Sequence, residues 1–222
     1  MPPPPDPRPI VAEVVLLAGP SGCGKTHLAR TVGLPIVALD SFYRDGTDPG
    51  MPRNPAGMVD WEDPASWDPD AAVAALAELC RAEQVDLPTY AFGEDRVVGS
   101  RTIERGGAPI VVAEGIFAAE LVARLRREDL LADALLIRQN RWVTFARRLV
   151  RDLREARKAP WYLVRQGWAK ARSEPTVVAH QRRCGARPVS KREARERLAG
   201  LAARLLVTAG ANQSTGRAVG AA

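Results

Sequence analysis

Gly19-Pro20-Ser21-Gly22-Cys23-Gly24-Lys25-Thr26 satisfies the pattern G-x-x-x-x-G-K-[ST] at every fixed position. The chemistry this spacing serves is phosphate binding. Glycines let the backbone wrap a phosphate and turn its N–H groups inward, and a following helix adds the positive end of its dipole. Lys25 is then placed for the β and γ phosphates, and the Thr26 hydroxyl for Mg²⁺. Gly19, Ser21, Gly22, Cys23, Gly24, Lys25 and Thr26 are therefore the expected nucleotide contacts. Cys23 fills a variable position and is not read as a nucleophile, and His27 reads as a helix packing or surface residue.

Transfer of a phosphoryl group also needs a group that orients or deprotonates the acceptor, metal support, and positive charge on the equatorial oxygens. Asp40 follows the apolar run Pro35 to Leu39, so it faces an acceptor or else caps the turn before Ser41. Glu114 follows the apolar run Pro109 to Ala113 and is expected to support Mg²⁺, because idle charge beside a buried strand is costly. Gly115 would let the backbone pass close to that site.

These residues need rigid elements to carry them. Ile10 to Ala18, Pro35 to Leu39, Pro109 to Ala113 and Ala134 to Ile137 are nearly continuous apolar runs, as expected of strands covered on both faces. Gly24 to Val32 reads as a helix, and Asp68-Pro69-Asp70 opens an alanine-rich helix running to about Gln84. Asp45 to Asp60 reads as a loop. Asp86 to Tyr90 and Arg96 to Ile103 flank Gly93 and predict a hairpin outside the main sheet, and everything after Arg141 reads as helix with breaks. The expected architecture is α/β: a P-loop NTPase-type doubly wound parallel sheet with helical layers, a β-hairpin excursion and a basic helical lid. One domain spanning residues 10–207 is expected, with its lid at about 145–170, between disordered tails at 1–9 (Pro-rich) and 208–222.

The 222 residues suffice for one core without covalent staples. Cys23, Cys80 and Cys184 lie far apart with no metal-ligand spacing in sequence, so neither a disulfide framework nor a zinc site is expected, and a reducing, cytoplasmic setting fits. No run is long and apolar enough for a bilayer, and Met1 to Pro9 does not resemble a secretory leader. The net charge of +6 is uneven, because residues 138–197 hold 18 Lys/Arg against 5 Asp/Glu. Such a field suits nucleic acid, a membrane surface or a polyphosphate, and composition does not choose among them.

Taken together, these residues resemble the uridine kinase branch of the uridine kinase and phosphoribulokinase group over residues 10–170. The resemblance rests on GPSGCGKT, on Asp40-Ser41-Phe42-Tyr43, on Trp61-Glu62-Asp63-Pro64, on Pro88-Thr89-Tyr90-Ala91-Phe92 and on Ala113-Glu114-Gly115-Ile116. It also rests on Arg147-Arg148-Leu149-Val150-Arg151-Asp152, followed by Arg157-Lys158. It implies that Asp40 is the general base for a nucleoside 5′-hydroxyl and that Glu62 holds ribose hydroxyls. Tyr43, Trp61, Tyr90 and Phe92 would surround the acceptor, and Glu114 with Thr26 would hold Mg²⁺. Arg148 and Arg151, on one helix face, would close over ATP with Arg157 and Lys158, while Arg148 and Gln166 would also reach the acceptor. Asp95 stands where the family has a base-contacting His, and a carboxylate there suits an amino-bearing edge. Beyond Lys170 no family motif is found, so His180 and Cys184 are unassigned.

The expected function is phosphorylation of a small hydroxyl-bearing metabolite by ATP and Mg²⁺, with a pyrimidine nucleoside (uridine or cytidine) as the acceptor. The alternatives are a kinase of another sugar or vitamin-type acceptor, and a nucleotide switch or RNA-binding module. Nucleic acid and membrane are not expected partners, and a homo-oligomer is possible.

Overall fold

A computed structural model describes residues 6–20, 22–138 and 175–219. Five parallel strands form the main sheet: β1 (Glu13–Ala18), β2 (Ile36–Ala38), β5 (Ile110–Glu114), β6 (Leu131–Ile137) and β7 (Arg187–Val189), in the order β2-β5-β1-β6-β7. Two further strands, β3 (Gln84–Ala91) and β4 (Arg96–Glu104), make a separate antiparallel hairpin, as expected. The helices are α1 (Lys25–Val32), α2 (Pro69–Arg81), α3 (Val122–Arg127), α4 (residues 175–183) and α5 (Lys191–Val219).

The sheet is covered on both faces, which explains the nearly continuous apolar runs of its inner strands. Along β1 the side chains alternate: Val14, Leu16 and Ala18 join one core with α2 and α3, whereas Val15 and Leu17 join another with α1 and α5. Val111 and Ala113 of β5 follow the first set, Ile110 and Val112 the second. This two-sided burial fixes register, because a one-residue slip would exchange every side chain between cores. Leu17, Ala38 and Glu114 are consequently level at one end of the sheet, the carboxyl end of the strands.

Three boundaries differ from expectation. Helix α2 starts as predicted, with the Asp68 carboxylate accepting from the Asp70 and Ala71 N–H groups, but it ends at Arg81. Glu83 is claimed by the hairpin instead, since its carbonyl accepts from Arg105 N and its carboxylate binds Arg105 and Gly107. Strand β7 lies in a region expected to be helical. Its three residues, Arg-Pro-Val, are too few to show periodicity, and Pro188 fits because β7 is an edge strand. Helix α5 continues to Val219, into the segment expected to be a tail; extending an existing alanine-rich helix costs far less than starting one. Among the described residues no helix is long and apolar enough to cross a membrane.

Candidate active site

The loop after β1 takes a path that only glycine adopts readily. Gly19, Gly22 and Gly24 all have positive φ, at 141°, 78° and 94°. Gly24 is the N-cap of α1 and no side chain caps this helix, so its first N–H groups face outward for an anion. Lys25 opens the helix, is only 7% exposed, and donates from Nζ to the carbonyls of Gly19 (2.8 Å) and Pro20 (3.2 Å). The ammonium thus bridges the loop that a phosphate would occupy. Cys23 is fully buried in the α1 side of the core, and its N–H donates to the Pro20 carbonyl. His27 is exposed.

Thr26 and Glu114 are 88 positions apart in sequence, yet the Thr26 hydroxyl donates to Glu114 Oε1 at 2.7 Å. Glu114 is 8% exposed, held there by the parallel pairing of β5 with both β1 and β2. A hydroxyl and a carboxylate at this separation are hard oxygen donors of the kind Mg²⁺ accepts through one or two protein ligands. The residues therefore fit the metal that the loop motif implies.

Asp40 lies two residues past β2, in a single 3₁₀ turn spanning Leu39–Phe42. Asp40 is exposed as a residue, yet its carboxyl group is surrounded closely enough by protein to be desolvated. Burial first, and the nearby Glu114 carboxylate second, push its pKa up to about 6, with Lys25 pulling the other way. Asp40, Glu114 and Lys25 thus share one field at the strand ends.

Gly115 makes that proximity possible. A Cβ at this position would stand 2.9 Å from Leu39 Cβ and 3.5 Å from Asp40 Oδ1. Gly115→Ala is therefore expected to push the Asp40 turn outward, costing about 1–3 kcal/mol in chemical denaturation. Any turnover that depends on Asp40 should fall at least tenfold, since displacements of about 1 Å at a reacting group cost up to about 10²-fold.

Beside Asp40 the turn is stitched to the segment 61–68. Trp67 Nε1 donates to the Leu39 carbonyl at 2.8 Å, Arg44 N to Ser66 O, and Asp68 N to Phe42 O. These bonds bring Trp61 and Glu62 to the Asp40 side of the sheet and build an aromatic cluster on Tyr43. Tyr43 meets Trp61, Tyr90, Phe92 and Phe117 with ring centroids 5.5, 5.8, 5.9 and 6.0 Å apart. Its hydroxyl donates to the Trp61 carbonyl, and the Tyr90 hydroxyl to the Arg44 carbonyl. Burial raises both phenol pKa values, so both rings stay neutral donors at ordinary pH. Phe92 remains 52% exposed at the edge of the cluster.

Asp95 sits on the β3–β4 turn at φ 53°, and its carbonyl accepts from Gly46 N at 2.7 Å. Gly46 is wedged between it and the cluster: a Cβ there would lie 2.8 Å from Asp95 Cβ and 3.2 Å from Trp61 Cη2. Sequence reasoning missed Phe117, which follows the Glu114-Gly115-Ile116 segment and also packs on Trp67 at 5.5 Å. Its only sequence signal is its place just past a strand end. Ser21, Arg148, Arg151, Arg157, Lys158 and Gln166 lie outside the described residues.

Residues 14–159 match the model of the phosphoribulokinase / uridine kinase family. A uridine kinase from Schizosaccharomyces pombe is 34% identical over 145 residues, covering 62% of this chain and 31% of that protein. A uridine kinase from Deinococcus deserti is 31% identical over 164 residues, covering 69% of this chain and 74% of that protein. The chain thus spans about a third of the yeast relative and about three quarters of the bacterial one. Among solved structures, a proposed fructose transport system kinase from Silicibacter sp. TM1040 superposes with a TM-score of 0.54 at 19% identity. That match covers 84% of this chain and 91% of the other, a likeness of fold.

Proposed function

Because the chain belongs to the phosphoribulokinase / uridine kinase family, we propose that it is an ATP-dependent small-molecule kinase whose acceptor is the 5′-hydroxyl of a pyrimidine nucleoside. The observation that carries this reading is Asp40: a carboxyl lifted to about 6, on the ligand edge of the sheet, between the phosphate loop and an aromatic cluster. A nucleotide switch has no use for an acceptor base beside an aromatic wall.

In this mechanism Lys25 exchanges its two carbonyl partners for the β and γ phosphates, and the N–H groups of the loop and of the α1 N-terminus hold the remaining oxygens. Thr26 and Glu114 hold Mg²⁺, which when bound supplies charge neutralisation on the phosphates. The acceptor hydroxyl gives its proton to Asp40 as its oxygen bonds to the γ phosphorus, and the bond from that phosphorus to the bridging oxygen of ADP breaks. Asp40 then releases the proton to solvent through its open side. Arg148, Arg151, Arg157 and Lys158 form the lid that neutralises developing charge. Glu62 and Gln166 hold the sugar, and Tyr43, Trp61, Tyr90 and Phe92 enclose the base. The kinase domain is taken as residues 10–207, with α5 running on past its end, and the free thiols of Cys23, Cys80 and Cys184 suit a reducing, cytoplasmic setting.

Asp95 favours one refinement. A carboxylate beside the aromatic cluster accepts hydrogen bonds and donates none, so it selects an acceptor that presents an amino group, cytidine over uridine. In an ADP-release assay with Mg-ATP, cytidine is expected to exceed uridine in kcat/KM by about tenfold, the worth of one charge-assisted hydrogen bond. Asp95→His should narrow or reverse that ratio. A sugar or vitamin precursor that outpaces every nucleoside would move the proposal to that acceptor. Release that no acceptor raises above background ATP hydrolysis would overturn it in favour of the nucleotide switch.

A further inference from the structure

Away from the phosphate loop, three side chains that the proposed mechanism does not use converge on one point. Glu120 comes from the 3₁₀ turn Ala118–Leu121 that follows β5, whereas His180 lies on α4 and Cys184 one helical turn later. Cys184 N donates to the His180 carbonyl at 3.0 Å, so the two side chains project from one face. His180 Nε2 is 2.5 Å from Glu120 Oε1 and 3.6 Å from Cys184 Sγ, and Cys184 Sγ is 4.0 Å from Glu120 Oε2. All three ligand atoms lie within 4.8 Å of one another.

The convergence does not suit a nucleophile relay. In a Cys-His-carboxylate relay the thiol and the acid bind different ring nitrogens, and here both approach Nε2. It does suit a cation. With Zn–S near about 2.3 Å and Zn–N near about 2.0 Å, a tetrahedral centre sets sulfur and nitrogen roughly 3.5 Å apart. The observed 3.6 Å already meets that distance. The carboxylate must open from its hydrogen bond to the imidazole by somewhat under about 1 Å, a side-chain rotation that Glu120 is exposed enough to make.

A cleft adjoins these three side chains. Glu120 and His180 line a cleft of about 280 Å³ together with Glu62, Phe117, Thr176 and Gln181. Gln181 is 2% exposed and donates from Nε2 to the Ile116 carbonyl, yet its Oε1 has no hydrogen-bond partner among the described residues. That acceptor is itself sealed from solvent, so its missing partner is a matter of local packing beside the cleft.

We propose that Glu120, His180 and Cys184 form a three-ligand site for Zn²⁺ that clamps the turn after β5 to α4 and leaves its fourth position to water from the cleft. Imidazole, thiolate and carboxylate together are a borderline-soft donor set, which distinguishes this site from the all-oxygen Thr26/Glu114 pair and disfavours Mg²⁺ here. The thiol must lose its proton to ligate, so binding releases one proton to buffer. The clamp would fix the turn carrying Phe117 and Glu120 against α4, and with it part of the lining of the cleft.

The test uses the full chain without a histidine tag, loaded by equilibrium dialysis with Zn²⁺ alone and separately with Co²⁺. One Zn²⁺ per chain is expected, with a thiolate-to-cobalt charge-transfer band and tetrahedral-intensity visible bands in the cobalt form. Cys184→Ser should abolish the charge-transfer band and weaken Zn²⁺ by about tenfold or more, since even an outer-sphere partner is worth about 10–100-fold. Glu120→Gln, which leaves the thiol in place, should weaken Zn²⁺ while keeping the band. Equal Zn²⁺ binding by the native and Cys184→Ser chains, or a cobalt form without thiolate charge transfer, overturns the site. Neither readout depends on phosphoryl transfer, so failure of the kinase reading would leave it intact.

Discussion

Asp40→Asn is expected to lower kcat by about 10²–10⁴-fold, the usual contribution of a positioned general base, while ATP binding is retained. Asparagine keeps the shape and the exposure of the side chain but cannot accept the acceptor's proton. The pH profile supplies an independent check. An Asp40 carboxyl raised from 3.8 to about 6 is protonated below that value, so kcat/KM for the acceptor should fall as pH drops through about 6. An unperturbed aspartate would hold activity for roughly two further pH units. Stability should move in the opposite sense. Between 3.8 and about 6 the folded chain binds the proton that the unfolded chain has released, so the contribution of Asp40 to stability declines as pH rises through that window. Asp40→Asn removes this term, and its Tm at neutral pH should be no lower than that of the native chain. A variant that kept full turnover would remove Asp40 from the mechanism. A variant that lost turnover together with its Tm would show only that the turn had collapsed.

Lys25→Met is expected to lower kcat/KM for ATP by about 10²–10³-fold, the cost of removing one preorganised cationic donor from a developing phosphoryl charge. Methionine keeps much of the aliphatic stem that packs in the loop. What it removes is the ammonium that holds the Gly19 and Pro20 carbonyls at 2.8 and 3.2 Å. Steady-state kinetics with ATP varied at saturating acceptor, beside a direct ATP titration, check this result. The two variants should separate cleanly: Asp40→Asn binds ATP and does not transfer, whereas Lys25→Met is impaired toward ATP whatever the acceptor. Similar ATP affinity and turnover in Lys25→Met and the native chain would take the phosphate away from this loop.

Much of the scaffold is legible in the sequence because its signals are local. The fixed positions of the phosphate loop demand positive-φ glycines, and Gly19, Gly22 and Gly24 adopt them. The nearly continuous apolar runs of β1, β5 and β6 require cover on both faces, and the two cores supply it. The Asp68 cap and the hairpin around Gly93 declare themselves within a few residues. Where the signal was short or shared, the reading failed. Strand β7 has three residues and a proline, and the end of α2 was decided by the claim of the hairpin on Glu83.

Local sequence is enough to name the residues that can bind phosphate, the strands that are buried, and the apolar runs that Asp40 and Glu114 follow, since each depends only on neighbouring side chains and backbone preference. Tertiary structure alone decided which of these residues meet. Parallel pairing of β1 with β5, and of β5 with β2, brings Thr26 to 2.7 Å from Glu114 and sets Asp40 in the same field. The Trp67 bond to Leu39 gathers Tyr43, Trp61 and Tyr90 into one wall. Chain crossing likewise carries α4 back to the turn that follows β5, so that His180 and Cys184 reach Glu120 from 60 or more positions away. No periodicity or motif encodes such encounters, because they follow from strand order and two-sided burial, which are properties of the whole chain.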